Sequence, residues 1–180
     1  AHDSGAVDAS APDGHDAHAS SIWPRADAAL SQLAPPPVRS PKIRVYLDAG
    51  HGAENNSGTR SAYCIDEQDF TLALARDTAA TLESHGGFEV KLSRGSALKG
   101  YRDRVAEADA WPADVFVSLH SDVRGHGPIW EPEPGKECPL NRGAPGFTVL
   151  WSDEGDDQRD AQRLGLARAV ATELSATGLP

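Results

Sequence analysis

Val45-Tyr46-Leu47-Asp48-Ala49-Gly50-His51-Gly52 is the stretch whose reading decides the fold. A short apolar run enters a Gly-His-Gly turn, which predicts a buried strand with a sharp bend at its carboxyl end. In open α/β sheets ligands bind beyond the carboxyl ends of the strands, so His51 stands where such folds carry their sites. A second apolar run, Asp114-Val115-Phe116-Val117-Ser118-Leu119-His120, also ends on a histidine, and between the two Glu67 opens a helix-like segment. Two imidazoles and one carboxylate are good zinc donors, and three protein ligands with one position left for water make a catalytic zinc site. His51, Glu67 and His120 meet only if the strands that end at the two histidines are neighbours. Taken singly, each has an ordinary structural reading: a hydrogen-bonded histidine, or a charge at a helix start.

Working outward, Ile43–Asp48 reads as the first strand. A helix follows from Glu67 to about His85, with Asp66 expected as its N-cap and Leu72, Ala75, Ala79 and Leu82 as its buried stripe. Gly86-Gly87 ends it. Phe88–Ser93 is the second strand, Tyr101–Ala110 a helix stopped by Pro112, and Asp114–His120 the third strand. Val123 to Gly146 is expected to be a long Gly/Pro-rich loop around Trp130, and Phe147–Trp151 a fourth strand. The last helix runs from Asp156 to about Ala176. Its first turns hold Asp156, Asp157 and Asp160, where the helix dipole favours anions, and Leu164, Ala167, Ala171 and Leu174 form its apolar face. Strands alternating with helices predict a layered α/β sheet, mostly parallel or mixed, flanked by helices. No strand follows the last helix before Pro180, so the domain over residues 42–180 is expected to lack its final strands.

Residues 1–41 read as a tether. Ala, Asp, Ser, Gly and His dominate its start, and Pro35-Pro36-Pro37 stiffens its end; such a segment buries too little apolar surface to offset its ordering entropy. Trp23 to Leu33 is the one part of it with apolar residues able to dock on the domain; His2, His15 and His18 suggest metal binding at first sight but read as scattered residues of a polar tail. The formal charge of −10 over 180 residues argues against nucleic acid or an anionic membrane surface as partner. No apolar run approaches the roughly 20 residues of a transmembrane segment. Methionine is absent, position 1 included, which suggests a processed or trimmed chain. The two cysteines, Cys64 and Cys138, permit one disulfide in an oxidising compartment; the sequence leaves their pairing open.

Five motifs stand in a familiar order: Leu47-Asp48-Ala49-Gly50-His51-Gly52, Glu67-Gln68-Asp69-Phe70, Val90-Lys91-Leu92-Ser93-Arg94, Arg104-Val105-Ala106-Glu107-Ala108-Asp109, and Ala113-Asp114 through His120. In this the chain resembles the zinc-dependent type 3 family of N-acetylmuramoyl-L-alanine amidases, bacterial cell-wall enzymes, over residues 43–180. The resemblance implies their hydrolase-like α/β amidase fold. It also implies one zinc ion held by His51, Glu67 and His120, and hydrolysis of the amide between N-acetylmuramic acid and L-alanine of the stem peptide. It implies peptidoglycan as partner and export to the periplasm or cell envelope; the acidic tail suits a surface tether such as a lipoprotein's. The oligomeric state stays open.

Three departures qualify this. The family's S-[IL]-H-A-N is here Ser118-Leu119-His120-Ser121-Asp122, which leaves Asp122 either a pocket residue or a solvated loop carboxylate. The role of the 123–146 loop is open. The family's general-base glutamate, on a late strand, has no counterpart up to Pro180, and neither Glu154 nor Glu173 takes its place. Asp48 is a candidate to orient a ligand or simply a turn residue; Arg94 and Arg104 are candidates to hold an anionic stem peptide or to make structural ion pairs. Two other readings remain: a non-catalytic zinc-containing wall-binding module, and an unrelated zinc peptidase.

Overall fold

Along Ile43–Ala49 (β1) alternate side chains leave opposite faces, and both faces are covered, which is why the run reads as almost continuously apolar. The computed structural model describes residues 41–123, 127–141 and 146–178. These fall into two compact units, one within Gln32–Pro145 and one within Gly146–Pro180. The expected tether, with its Trp23–Leu33 segment, lies almost wholly outside the described residues.

In the first unit β1 is the middle of a three-stranded parallel sheet, flanked by Phe88–Leu92 (β2) and Val115–Leu119 (β3) in the order β2-β1-β3. Val45 pairs with Val90 on one side and with Val115 on the other, and Ala49 stands opposite Leu119. The helix Glu67–Ser84 (α1) packs Leu72 and Ala75 on Leu47 and Ala49, with Ala79, Val90, Leu92, Val117 and Leu119 around this core. Fully burying one of the leucines or valines contributes about 1.5–3 kcal/mol. The opposite face of β1 is tied to the helix Tyr101–Ala110 (α2) by polar side chains: Tyr46 donates to Glu107 at 2.6 Å, and Arg104 pairs with Asp48 at 2.9 Å. Glu107 also receives Lys91 and Lys99; the Lys99 ammonium first, then the Tyr46 hydroxyl, hold its carboxyl down at about 2 against a small opposing effect of burial.

Three expectations need correction. Asp66 does not cap α1 with its side chain; its carboxylate accepts from Arg60 Nε at 2.7 Å instead. The first N–H groups of the helix go to loop carbonyls, Glu67 N to Thr59 O and Gln68 N to Ser57 O, so the end is satisfied by tertiary contacts that a cap pattern does not encode. Within the expected long loop, Ile129–Glu133 (β4) and Lys136–Pro139 (β5) form an antiparallel hairpin. Pro132 and Pro139 hid it, yet in a two-stranded ribbon every strand is an edge and a missing N–H is tolerated. Phe147–Trp151 is not a strand: no described segment pairs with it, and Leu150 and Trp151 are exposed. An apolar run supplies strand propensity but not the ladder partner a strand requires.

In the second unit Asp157–Ala176 (α3) is capped by Asp156, whose carboxylate accepts from Arg159 N at 2.9 Å. Leu164, Ala167, Ala171 and Leu174 are among its less exposed positions, as their spacing predicts, with Asp160 and Arg163 half-buried as well. Among the described residues no helix is long and apolar enough to cross a membrane.

Candidate metal centre

The register that sets Ala49 opposite Leu119 brings the residues just past β1 and β3 to one sheet edge, and α1 begins there. His51 Nε2 lies 3.3 Å from Glu67 Oε2, and His120 Nδ1 lies 3.2 Å from Glu67 Oε1. The two imidazoles stand edge to face with centroids 4.8 Å apart. Zinc–ligand bonds of about 2.0–2.2 Å in a tetrahedron put neighbouring donors about 3.3–3.5 Å apart, so these spacings suit the ion, as does the N, N, O donor set. The cradle is tight as well. A Cβ on Gly58 would come within 2.7 Å of both Glu67 Oε2 and His51 Cδ2, and one on Gly50 within 2.7 Å of His120 Nε2.

Glu67 is only 3% exposed. Its Oε2 accepts from the N–H of Thr59 at 3.0 Å and the hydroxyl of Thr59 at 2.9 Å, and its Oε1 from Ser121 N at 2.7 Å. Burial pushes its pKa up, but the Ser121 and Thr59 N–H groups, the Thr59 hydroxyl and the nearby His51 together outweigh it and hold the carboxyl below the usual carboxylate range. The site therefore presents an anion to a cation.

His51 is held with φ at 61°, in the left-handed region where a non-glycine residue costs about 1–3 kcal/mol. Two buried guanidiniums offset that strain by gripping the carbonyls of the turn. Arg94 donates to Ala49 O at 2.9 Å, Gly50 O at 3.1 Å and Gln68 O at 2.7 Å. Arg104, 1% exposed, donates to Ala49 O at 3.0 Å, His51 O at 2.6 Å and the Asp48 carboxylate at 2.9 Å. Burial, and then the charge of Arg104, pull the Arg94 pKa down from its ordinary value. Asp48 accepts a second bond from Ser118 Oγ at 2.7 Å; burial would raise its pKa, but the bonds from Ser118, Ser93 and Arg104 leave it lowered.

Thus Asp48 orients Arg104 rather than an imidazole, and neither arginine side chain is presented to solvent for a stem peptide. Of the two readings open for the arginines, Arg104 makes the ion pair, while Arg94 is bound to carbonyls. Asp122 comes into the donor group: one ligand atom each from His51, Glu67, His120 and Asp122 all lie within 4.8 Å of one another.

Asn56 is a site residue that sequence reasoning missed. Its Oδ1 lies 2.8 Å from His51 Nδ1 and also accepts from the N–H of Gly58 at 3.3 Å. A backbone N–H only donates, so the atom facing it is the amide oxygen. His51 Nδ1 then carries a proton, so Nε2, the nitrogen facing Glu67, is the one that can offer a lone pair to a metal ion. Asn56 Nδ2 in turn donates to the Tyr101 hydroxyl at 2.9 Å. The only available signal was proximity to His51 in a polar turn, which is shared by Glu54 and Asn55.

Beside the centre, Cys64 and Cys138 form a disulfide with Cα atoms 5.3 Å apart. It joins the loop that leads into Glu67 to the β4–β5 hairpin. Trp130 Nε1 adds a bond to Ala62 O at 2.7 Å, and the Trp130 ring meets Tyr63 edge to face.

Residues 45–178 match the N-acetylmuramoyl-L-alanine amidase family. The N-acetylmuramoyl-L-alanine amidase AmiC of Escherichia coli O6:H1 is 34% identical over 97 residues, covering 52% of this chain and 23% of that protein. AmiC of Neisseria meningitidis serogroup B is 37% identical over 104 residues, 56% of this chain and 24% of that one. The crystal structure of the N-acetylmuramoyl-L-alanine amidase from Clostridium difficile 630 aligns at 29% identity with a TM-score of 0.45, over 51% of this chain and 50% of that one. The match spans about a quarter of each AmiC relative's length.

Proposed function

The chain belongs to the N-acetylmuramoyl-L-alanine amidase family, and from that premise we propose that it carries the zinc-binding catalytic region of a cell-wall hydrolase. The bond cut is the amide between N-acetylmuramic acid and the L-alanine of the stem peptide. The observation that carries this reading is the meeting of His51, Glu67 and His120 at one rim with donor spacings of 3.2 and 3.3 Å.

One zinc ion, held by these three residues, would polarise the scissile carbonyl and lower the pKa of water at the site. The chain's own residues do the positioning. Asn56 keeps the Nε2 lone pair of His51 directed inward, Thr59 and Ser121 keep Glu67 anionic and fixed, and Arg94 and Arg104 hold the turn. The His120 side chain is 40% exposed, against 1% for Glu67, so substrate approaches from the histidine side. The disulfide accords with an exported protein of the periplasm or cell envelope, where peptidoglycan lies. We read residues 1–41 as its tether, in the manner of a lipoprotein.

The test is metal analysis and murein digestion on the same preparation. Stoichiometric zinc is expected, with chelator-sensitive release of stem peptides from purified murein that, without the family's general-base glutamate, runs about 10²–10⁴-fold below that of an enzyme carrying it. His51→Ala should weaken zinc binding by more than the about 10–100-fold that loss of an outer-shell partner costs. Zinc without release of peptides would turn the reading to a wall-binding module; cleavage of free peptides but not muramoyl amides would turn it to a zinc peptidase.

A further inference from the structure

We propose that Asp122 supplies a fourth protein donor to the zinc ion; this rests on the zinc reading of His51, Glu67 and His120 above. Four ligand atoms, one from each of these residues and one from the Asp122 carboxylate, lie within 4.8 Å of one another, close enough to surround a single ion after small side-chain rotations. The approach of Asp122 is built into the backbone. Its neighbour Ser121 is pinned at both polar groups, donating its N–H to Glu67 Oε1 at 2.7 Å and accepting at its carbonyl from Thr59 Oγ1 at 3.1 Å. The single Thr59 hydroxyl proton is shared between Glu67 Oε2 and the Ser121 carbonyl, while the Ser121 N–H ties the start of the Asp122 peptide to Glu67.

Charge points the same way. Glu67 alone leaves a dication half neutralised, whereas Glu67 and Asp122 together balance it, and carboxylate oxygen is an ordinary zinc donor. The consequence concerns the open position. Three protein ligands leave room for water, while four close the site as in a structural zinc centre. His120 and Asp122 are the exposed donors of the four, but His120 directly follows β3, whereas Asp122 lies two residues farther along the irregular segment and Glu67 is buried at a helix start. Asp122 would therefore be the donor held least firmly by the sheet, and its grip would set how readily a position for water opens.

The experiment uses the 180-residue chain stripped of metal, titrated with zinc against a chromophoric chelator and separately loaded with cobalt(II) for its visible spectrum. Asp122→Asn is expected to weaken zinc binding tenfold or more and to change the intensity and position of the cobalt bands. Glu83→Gln removes one charge about 24 Å along α1 from Glu67, at 1.5 Å per residue, and is expected to change neither. Thermal melts of the metal-free variants confirm that this exposed substitution leaves the fold intact. Equal affinity and an identical cobalt spectrum in Asp122→Asn would overturn the proposal. So would an equal loss in Glu83→Gln, which would report net charge alone. A parent chain that takes up no zinc brings down the zinc reading itself, and shows this before any variant is made.

Discussion

Two regions flank Glu67 and are held by opposite means. The turn Ala49–His51 is fixed by buried hydrogen bonds: Arg94 and Arg104 grip its three carbonyls, and Thr71 Oγ1 adds a bond to Gly50 O at 2.7 Å. The loop Ser61–Ile65 closes on itself by bonds to Ser61 and is held to the hairpin by Cys64–Cys138 and a bond from Trp130 to Ala62, with Tyr63 61% exposed. The first region sits under α1 and α2, where water is excluded and every polar group needs a protein partner. The second leaves its large apolar side chains, Tyr63 and Ile65, exposed, so a cross-link does what packing does elsewhere. Positional precision at a ligand thus comes from charge-assisted bonds in a dry interior, and retention of an exposed segment comes from limiting the freedom of the unfolded chain.

The comparison breaks hardest at Arg104. Arg104→Met leaves Asp48 buried without its cation, a change that costs about 3–5 kcal/mol, to be read as a shift in the urea midpoint. The sign with pH follows from Asp48. Its folded pKa lies below the usual value, so its contribution is present above about pH 4 and is lost as pH falls through the folded value. The gap between parent and variant should therefore be widest near neutrality and close on acidification; a gap that widens in acid would contradict the assigned pair.

Next in size is the disulfide, which closes a separation of 74 residues. Cys64→Ser with Cys138→Ser should lower stability by about 2–4 kcal/mol, less if the hairpin opens locally without global unfolding. Hydrogen exchange distinguishes the two: protection should fall across β4 and β5 first and persist in β1. Uniform loss across both would erase the distinction between the regions.

The smallest effect sharpens the turn side. Asn56→Ala frees the His51 tautomer while removing no proposed ligand, and should weaken zinc binding about 10–100-fold with the metal-free fold unchanged. Unaltered zinc affinity would show that Arg94 and Arg104 alone orient His51.

Much of this was legible in the chain. Val45 to Gly52 read as a strand and turn because an apolar run and a glycine pair are local signals, and α2 matched its expected limits of Tyr101 and Ala110 because Pro112 is a local stop. The expected placement of His51, Glu67 and His120 at element ends needed only those elements and their order. The hairpin at Ile129–Pro139, the unpaired run Phe147–Trp151, the partner of Asp66 and the part played by Asn56 were not legible, since each depends on which segment lies opposite in space.

The sequence by itself determined where β1, β2, β3 and the three helices lie, which faces of α1 and α3 are apolar, and that an imidazole follows β1 and β3, because periodicity and turn chemistry act within a few residues. Only the tertiary structure decided that β1 and β3 are neighbours in a register setting Ala49 against Leu119, that Cys64 meets Cys138, and that Arg104 turns inward to Asp48 and the turn carbonyls. The physical reason is range: hydrogen-bond partners and buried charges are chosen by what a closed, water-free interior brings within about 3 Å, and residues 50 or more positions apart carry no local mark of that meeting.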